Sequence, residues 1–143
     1  MEQMPLFEAP TMLYTGDAPT KAYPDDAGFD LRVARDWTVS PHAMDQIPLS
    51  TTVKSHDGYW GLVIGRSSTF RRGLLINPGV IDCGYTGPLF AVVHNMTDHD
   101  IVVFAGERIV QWIPMVNHPM LPRHTNQLPD TARGANGFGS SGK

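Results

Sequence analysis

Apolar residues in this chain fall in short runs, and several runs alternate with polar neighbours. Trp37-Thr38-Val39 and Thr51-Thr52-Val53-Lys54 repeat every second residue, the period of a strand with one buried face. Other runs, such as LFAVV (89–93) and YWGLVI (59–64), are nearly continuous and rich in β-branched and aromatic side chains. The pattern predicts strands over 11–14, 29–33, 37–39, 46–48, 51–54, 59–64, 74–77, 79–82, 89–95, 101–104 and 108–116. Turn residues separate most of them at about eight to twelve residues, the spacing of a sandwich or barrel. Twelve prolines spread from 5 to 129 leave few windows for a helix, and only 67–73 reads as a single helical turn. The expected class is all-β, and no repeat recurs at a fixed period.

Composition sharpens this picture. A length of 143 residues suggests one domain with a tail, and 41% hydrophobic residues suffice for a core. Only 17% are charged, against roughly 25% in an ordinary domain. With 14 glycines and 12 prolines and no low complexity, that describes a compact β domain better than disorder. A net charge of −3 argues against a nucleic acid polymer as partner. No apolar run approaches the roughly eighteen residues of a membrane span. MEQMPLFEAP lacks a basic segment followed by an apolar one, so no secretory signal is expected. Cys83 is the single cysteine, which excludes an internal disulfide and multi-cysteine zinc sites. A reducing, cytoplasmic setting is the expectation. The six histidines show no metal-ligand spacing.

Residues 119–143 have a different character. Pro, Asn, Gln, Thr, Gly and Ser dominate, as in a disordered tail, yet the segment ends in RGANGFGSSGK (133–143). GFGSSG formally matches G-x-G-x-x-G, but one residue follows it, so the dinucleotide-fold reading fails. Its chemistry still suits phosphate. Glycines let backbone N–H groups approach an anion, Ser140 and Ser141 add hydroxyls, and Arg133 offers a planar fork of donors. Phe138 could stack on a base. Such a tail suggests a lid that orders over a nucleotide.

Four further segments could carry chemistry. Gly65-Arg66-Ser67-Ser68 follows a strand and enters the helical turn, either as an anion site or as a Ser N-cap beside an exposed Arg. NPGVIDCGYTG (77–87) reads as a β-hairpin with Asp82 near its turn. Asp82 is either a turn former or a carboxylate that deprotonates water, with Tyr85 lining the same pocket. In DDAGFDL, Asp30 faces away from Phe29 and Leu31, toward a hydrated Mg²⁺ or toward solvent. GERIVQ (106–111) reads as a turn into a strand, with Arg108 and Ile109 on opposite faces.

Taken in order, DAGFDL, GRSS, GVIDCGYTG, GERIVQ and RGANGFGSSGK resemble the five motifs of the homotrimeric dUTP pyrophosphatases (dUTPases). The resemblance covers nearly all of the chain from about residue 20. It implies a jelly-roll-like β-barrel over 1–128 and a flexible C-terminal arm over 129–143 that closes a neighbouring subunit's site. It also implies a homotrimer with three active sites shared between chains. The implied reaction is hydrolysis of dUTP to dUMP and pyrophosphate, which limits uracil in DNA and supplies dUMP for thymidylate synthesis.

Matched motif by motif, the resemblance makes Asp82 the general base and sets Tyr85 against the deoxyribose. The backbone around Val80, Ile81 and Phe90 reads the uracil edge, and Asn77 matches a uracil-contacting Asn, with a shortened spacing to Asp82. Arg66, Ser67 and Ser68 bind phosphates, and Gln111 supports that region. Asp30 holds Mg²⁺ through water. Arg133, Gly139, Ser140 and Ser141 close on the β- and γ-phosphates, with Phe138 stacked on uracil.

Some positions depart from the usual pattern. Gly65 stands where many members have Pro, Ser68 where many have Gly, and Trp112 where Leu is common. The first two resemble the related dCTP deaminases, whose catalytic Glu would fall at Val92 here. Without that carboxylate, deamination is disfavoured. A dUTPase-fold sensor that pairs with a protein regulator is the other alternative, which intact Asp82, Tyr85 and Arg133 do not exclude.

Overall fold

The computed structural model of the chain describes residues 9–139. Its strands, in order, are β1 (Leu13–Gly16), β2 (Phe29–Arg32), β3 (Trp37–Val39), β4 (Met44–Pro48), β5 (Thr51–Lys54) and β6 (Tyr59–Gly65). A short helix, α1 (Ser67–Arg71), precedes β7 (Leu74–Ile76), β8 (Gly79–Ile81), β9 (Phe90–Asn95), β10 (Ile101–Val103) and β11 (Arg108–Val116). Every predicted strand is present. The bounds of β3, β5 and β11 agree with the alternation, whereas β1 starts two residues later than 11–14.

Among the described residues the ladders are antiparallel and form four sheets, ordered β2-β11-β6-β8, β4-β9-β7, β1-β5 and β3-β10. They enclose one core in a jelly-roll-like arrangement rather than one continuous ring. Leu31, Val39, Ile47, Val53, Val63, Leu74, Val93, Val103 and Trp112 bring nine strands into that core. The Trp112 ring lies where a side chain on Gly61 would stand, so the glycine gives the indole its place in β6. Burying such a ring stabilises the fold by about 2 kcal/mol. The polar side chain of Asn95 is also fully buried. Asn95 donates to the carbonyls of Val39, Ser40 and His99 at 2.8–3.1 Å and accepts from Thr97, which leaves none of its capacity unpaired.

Two local expectations fail, and both failures shape the site. The segment 77–87 does contain the expected turn, with the Tyr85 N–H donating to the Asp82 carbonyl at 3.1 Å. Its arms do not pair as a hairpin: β8 joins β6, and β9 joins β4 and β7. Pro88 has no N–H to donate, and Leu89 turns into the core, its carbonyl accepting from the Leu49 N–H. In β11 plain alternation breaks as well. Arg108 pairs with Arg32 but Val110 pairs with the next residue, Leu31, so Ile109 is an extra, bulged residue. Ile109 and Val110 are both buried, which no alternating strand allows.

Candidate active site

The bulge gathers one half of the site. An inserted residue leaves its carbonyl outside the β2 ladder, and here α1 uses it. The Ile109 carbonyl accepts from the Arg66 N–H at 3.2 Å and from Thr69 Oγ1 at 2.8 Å. Arg66 is the extended residue that caps α1, with no side-chain cap, so the alternative of a Ser N-cap is not realised. Ser67 and Ser68 are exposed, and neither hydroxyl makes a hydrogen bond among the described residues.

Around this corner the charges converge. Asp30 Oδ1 lies 3.2 Å from Arg66 Nε, and Asp30 Oδ2 lies 3.4 Å from an Arg108 guanidinium nitrogen. A second Arg66 nitrogen donates to the Arg108 carbonyl at 2.8 Å. Asp30 therefore does not face open solvent; its side chain is only 13% exposed, between two guanidiniums. Gln111 stands opposite Asp30 in the ladder, and its amide donates to the Gly65 carbonyl. A Cβ on Gly28 would lie 2.6 Å from Gln111 Oε1, so this glycine makes room for the amide. Arg32, Arg66, Arg72 and Arg108 line one open cavity with Ser68 and Glu107. Four cations against Asp30 and Glu107 make a local positive field on a chain of net charge −3, as an anion requires.

The turn after β8 forms a second group. Asp82 is exposed, and its carboxylate makes no hydrogen bond among the described residues. Tyr85 folds back, its hydroxyl donating to the Pro88 carbonyl at 2.6 Å. A Cβ on Gly87 would lie 2.8 Å from that hydroxyl, so only glycine permits this pose. On the other side Lys54 Nζ donates to Cys83 Sγ at 3.4 Å. Partial burial pulls the Lys54 pKa down, but hydrogen bonds to Cys83 and Asp57 outweigh it, and the ammonium stays above its ordinary value of 10.5. β8 is the last strand of its sheet, so one backbone edge carries no ladder, which suits the donor–acceptor edge of a base. Val80 projects outward from it, and Ile81 is half-buried. The Asn77 N–H donates to the Val92 carbonyl at 2.8 Å and its side chain is exposed; Phe90 opens β9, also exposed.

The third group is the arm. The Asn117 N–H donates to the Gly58 carbonyl; beyond it, the hydrogen bonds of residues 118–139 are local among the described residues. Arg133 Nε donates to the Asn136 carbonyl at 2.6 Å. Phe138 and Gly139 both have positive φ, 49° and 88°. Phe138, Met120, Leu121 and Leu128 are exposed. Ser140 and Ser141 lie outside the described residues. No described hydrogen bond or ion pair joins this arm, the 82–85 turn and the arginine corner to one another.

Comparison with known proteins decides the family. The family model for dUTPase matches residues 15–142. The chain belongs to the dUTPase family. It is 34% identical over 133 residues to the deoxyuridine 5'-triphosphate nucleotidohydrolase of Tropheryma whipplei, covering 90% of each chain. To that of Leifsonia xyli it is 39% identical over 133 residues, covering 87% of this chain and 84% of the relative. It is also 32% identical to part of the Pol polyprotein of equine infectious anemia virus, spanning 92% of this chain but 11% of that far longer protein. The fold is that of the Staphylococcus bacteriophage 80alpha dUTPase bound to dUpNHpp, with a TM-score of 0.86 at 24% identity over 93% of this chain and 99% of that one.

Within this dUTPase-family chain, the residue that sequence reasoning missed is Arg108. Its signal was the pair Ile109-Val110, two adjacent apolar residues where alternation called for one. No cluster of three His, Cys, Asp or Glu side chains occurs among the described residues. The donor set instead fits a hydrated Mg²⁺ that arrives on a triphosphate, since that ion keeps most of its waters and takes phosphate oxygens.

Proposed function

We propose that this chain hydrolyses dUTP to dUMP and pyrophosphate, taking the nucleotide as its Mg²⁺ complex, and that three copies share their sites. What supports this reading is the separation of the motif groups within one chain. The arginine corner, the 82–85 turn and the arm are each incomplete alone, and assembly around a threefold axis lets one copy's group meet another's. The exposed Phe138 ring on the arm then finds a surface on a neighbour.

In this site Arg66, Ser67, Ser68 and Gln111 bind phosphates, and Asp30 would hold the bound ion through water. Mg²⁺ supplies charge neutralisation on the phosphate oxygens when bound. Val80, Ile81, Phe90 and Asn77 line the uracil, and the ring of Tyr85, pinned by Pro88, packs against deoxyribose where a 2′-hydroxyl would clash. Asp82, whose carboxylate makes no hydrogen bond among the described residues, accepts the proton of a water that attacks the α-phosphorus; the bond to the bridging oxygen breaks and pyrophosphate leaves. The work is mostly positioning and electrostatic stabilisation of charge spread over phosphate oxygens. Arg133, Phe138, Gly139, Ser140 and Ser141 of the arm (129–143) close over the body (1–128) and exclude other water. Deamination has no support at position 92, where an outward valine stands.

The deciding experiment is Asp82→Asn. Turnover of dUTP falls by about 10³-fold, within the usual range for a general base, while dUpNHpp still binds. Near-normal turnover would remove the assignment. Sedimentation at working concentration reports the mass of three chains, and a particle that never exceeds one chain would remove the shared site.

A further inference from the structure

We propose that Arg108 is a positioning residue of the phosphate site, acting through Asp30 to keep the Arg66 guanidinium available to the triphosphate. This inference rests on the reading of Arg66 as a phosphate ligand and adds a residue that no motif assignment above places there.

The bulge is what brings the three side chains together. In a regular strand Arg108 would point opposite to Gln111, three residues on, and away from Asp30. Inserting Ile109 turns Arg108 to the face that carries Asp30 and Gln111. Arg66 Nε is ion-paired with Asp30 Oδ1 and one terminal N–H donates to the Arg108 carbonyl, which leaves three terminal N–H donors for a ligand. Arg108 occupies the other carboxylate oxygen, Oδ2. Its side chain thereby blocks a competing geometry. A guanidinium and a carboxylate left alone prefer the two-bond fork, and that fork would take a further Arg66 donor away from phosphate. The carbonyl of Arg108 holds Arg66 from one side while its cation shares the anion on the other.

The test measures affinity in the intact protein with two probes, dUpNHpp and deoxyuridine, by calorimetry in the same Mg²⁺ buffer. Arg108→Gln weakens dUpNHpp by about tenfold, the scale of one charge-assisted hydrogen bond, and leaves deoxyuridine unchanged. Arg108→Lys, which still covers Oδ2, recovers most of that loss. Arg66→Ala weakens dUpNHpp more, and Arg66→Ala with Arg108→Gln is no weaker than Arg66→Ala alone, because the second residue acts through the first. Unchanged dUpNHpp affinity in Arg108→Gln, with Arg66→Ala weakened, overturns the inference and spares the Arg66 assignment. An equal fall for both probes also overturns it, since that is a general structural loss. An Arg66→Ala variant with full affinity removes the reading of Arg66 itself, and the inference with it.

Discussion

The body and the arm each carry an arginine assigned to phosphate, and the two are held in opposite ways. Arg66 is fixed at three points: Asp30 at Nε, the Arg108 carbonyl at a terminal nitrogen, and the Ile109 carbonyl at its own N–H. Among the described residues the Arg133 side chain is held only by Asn136, three residues along the same arm. The first cation is oriented when the chain folds. The second must be placed when a nucleotide and a neighbour arrive, at a cost in conformational freedom that only a correct ligand offsets. One region is thus a preformed receptor and the other a conditional lid, and that division gives specificity a place to act before water is excluded.

The sharpest way to break this contrast is to remove the lid. Deleting residues 133–143 lowers kcat by about 10²- to 10³-fold, the scale of lost transition-state donors, in a steady-state assay of pyrophosphate release. The melting temperature stays where it was, because among the described residues no hydrogen bond of that segment reaches the body. A truncated chain that melts several degrees lower would make the arm part of the folded body, and full activity would make it dispensable.

The 82–85 turn lies between these extremes, exposed yet tied on both sides, and Gly87 is the place to probe it. Gly87→Ala drives a Cβ into the Tyr85 hydroxyl and breaks its bond to the Pro88 carbonyl. We expect KM for dUTP to rise about tenfold, the worth of one misplaced contact, and the preference for dUTP over UTP to narrow. If both parameters hold, the ring is not set by that hydrogen bond.

How much of this was legible follows from what each pattern encodes. Alternation, short β-branched and aromatic runs, and turn residues together located every strand, because a buried face writes period two into strands such as β3 and β5. The motif order pointed to the phosphate and base groups, since those residue types are chosen by chemistry rather than packing. Three features were not legible. The parting of β8 and β9 depends on Leu89 entering the core, a tertiary fact that local turn chemistry cannot express. The bulge at Ile109 looks like an ordinary apolar strand until its partner's register is known. Asn95 reads only as the polar end of a strand, yet it is fully buried with its amide donating to three carbonyls. Arg108 fell in the gap between these levels: its motif was visible, and its direction was set by the bulge.

The smallest expected effect tests whether the turn belongs with the body. Lys54 reaches from β5 to Cys83, next to Asp82, and its pKa is raised by that contact and by Asp57 against the pull of partial burial. A group whose folded pKa is raised contributes stability that is fully present below its unfolded value, here 10.5, and is lost as pH rises through the folded value. Thermal melts from neutral pH upward therefore separate the original chain from Lys54→Met by a small, constant margin that closes only above pH 10.5. Other lysines and tyrosines titrate there too, so the difference between the two curves, not either curve alone, isolates this contact. At neutral pH kcat changes by less than about twofold, because an exposed pair contributes little. A margin that closes well below pH 10 would assign the tether to another group, and a large fall in kcat at neutral pH would place Lys54 beside the reacting atoms rather than behind the turn that carries Asp82.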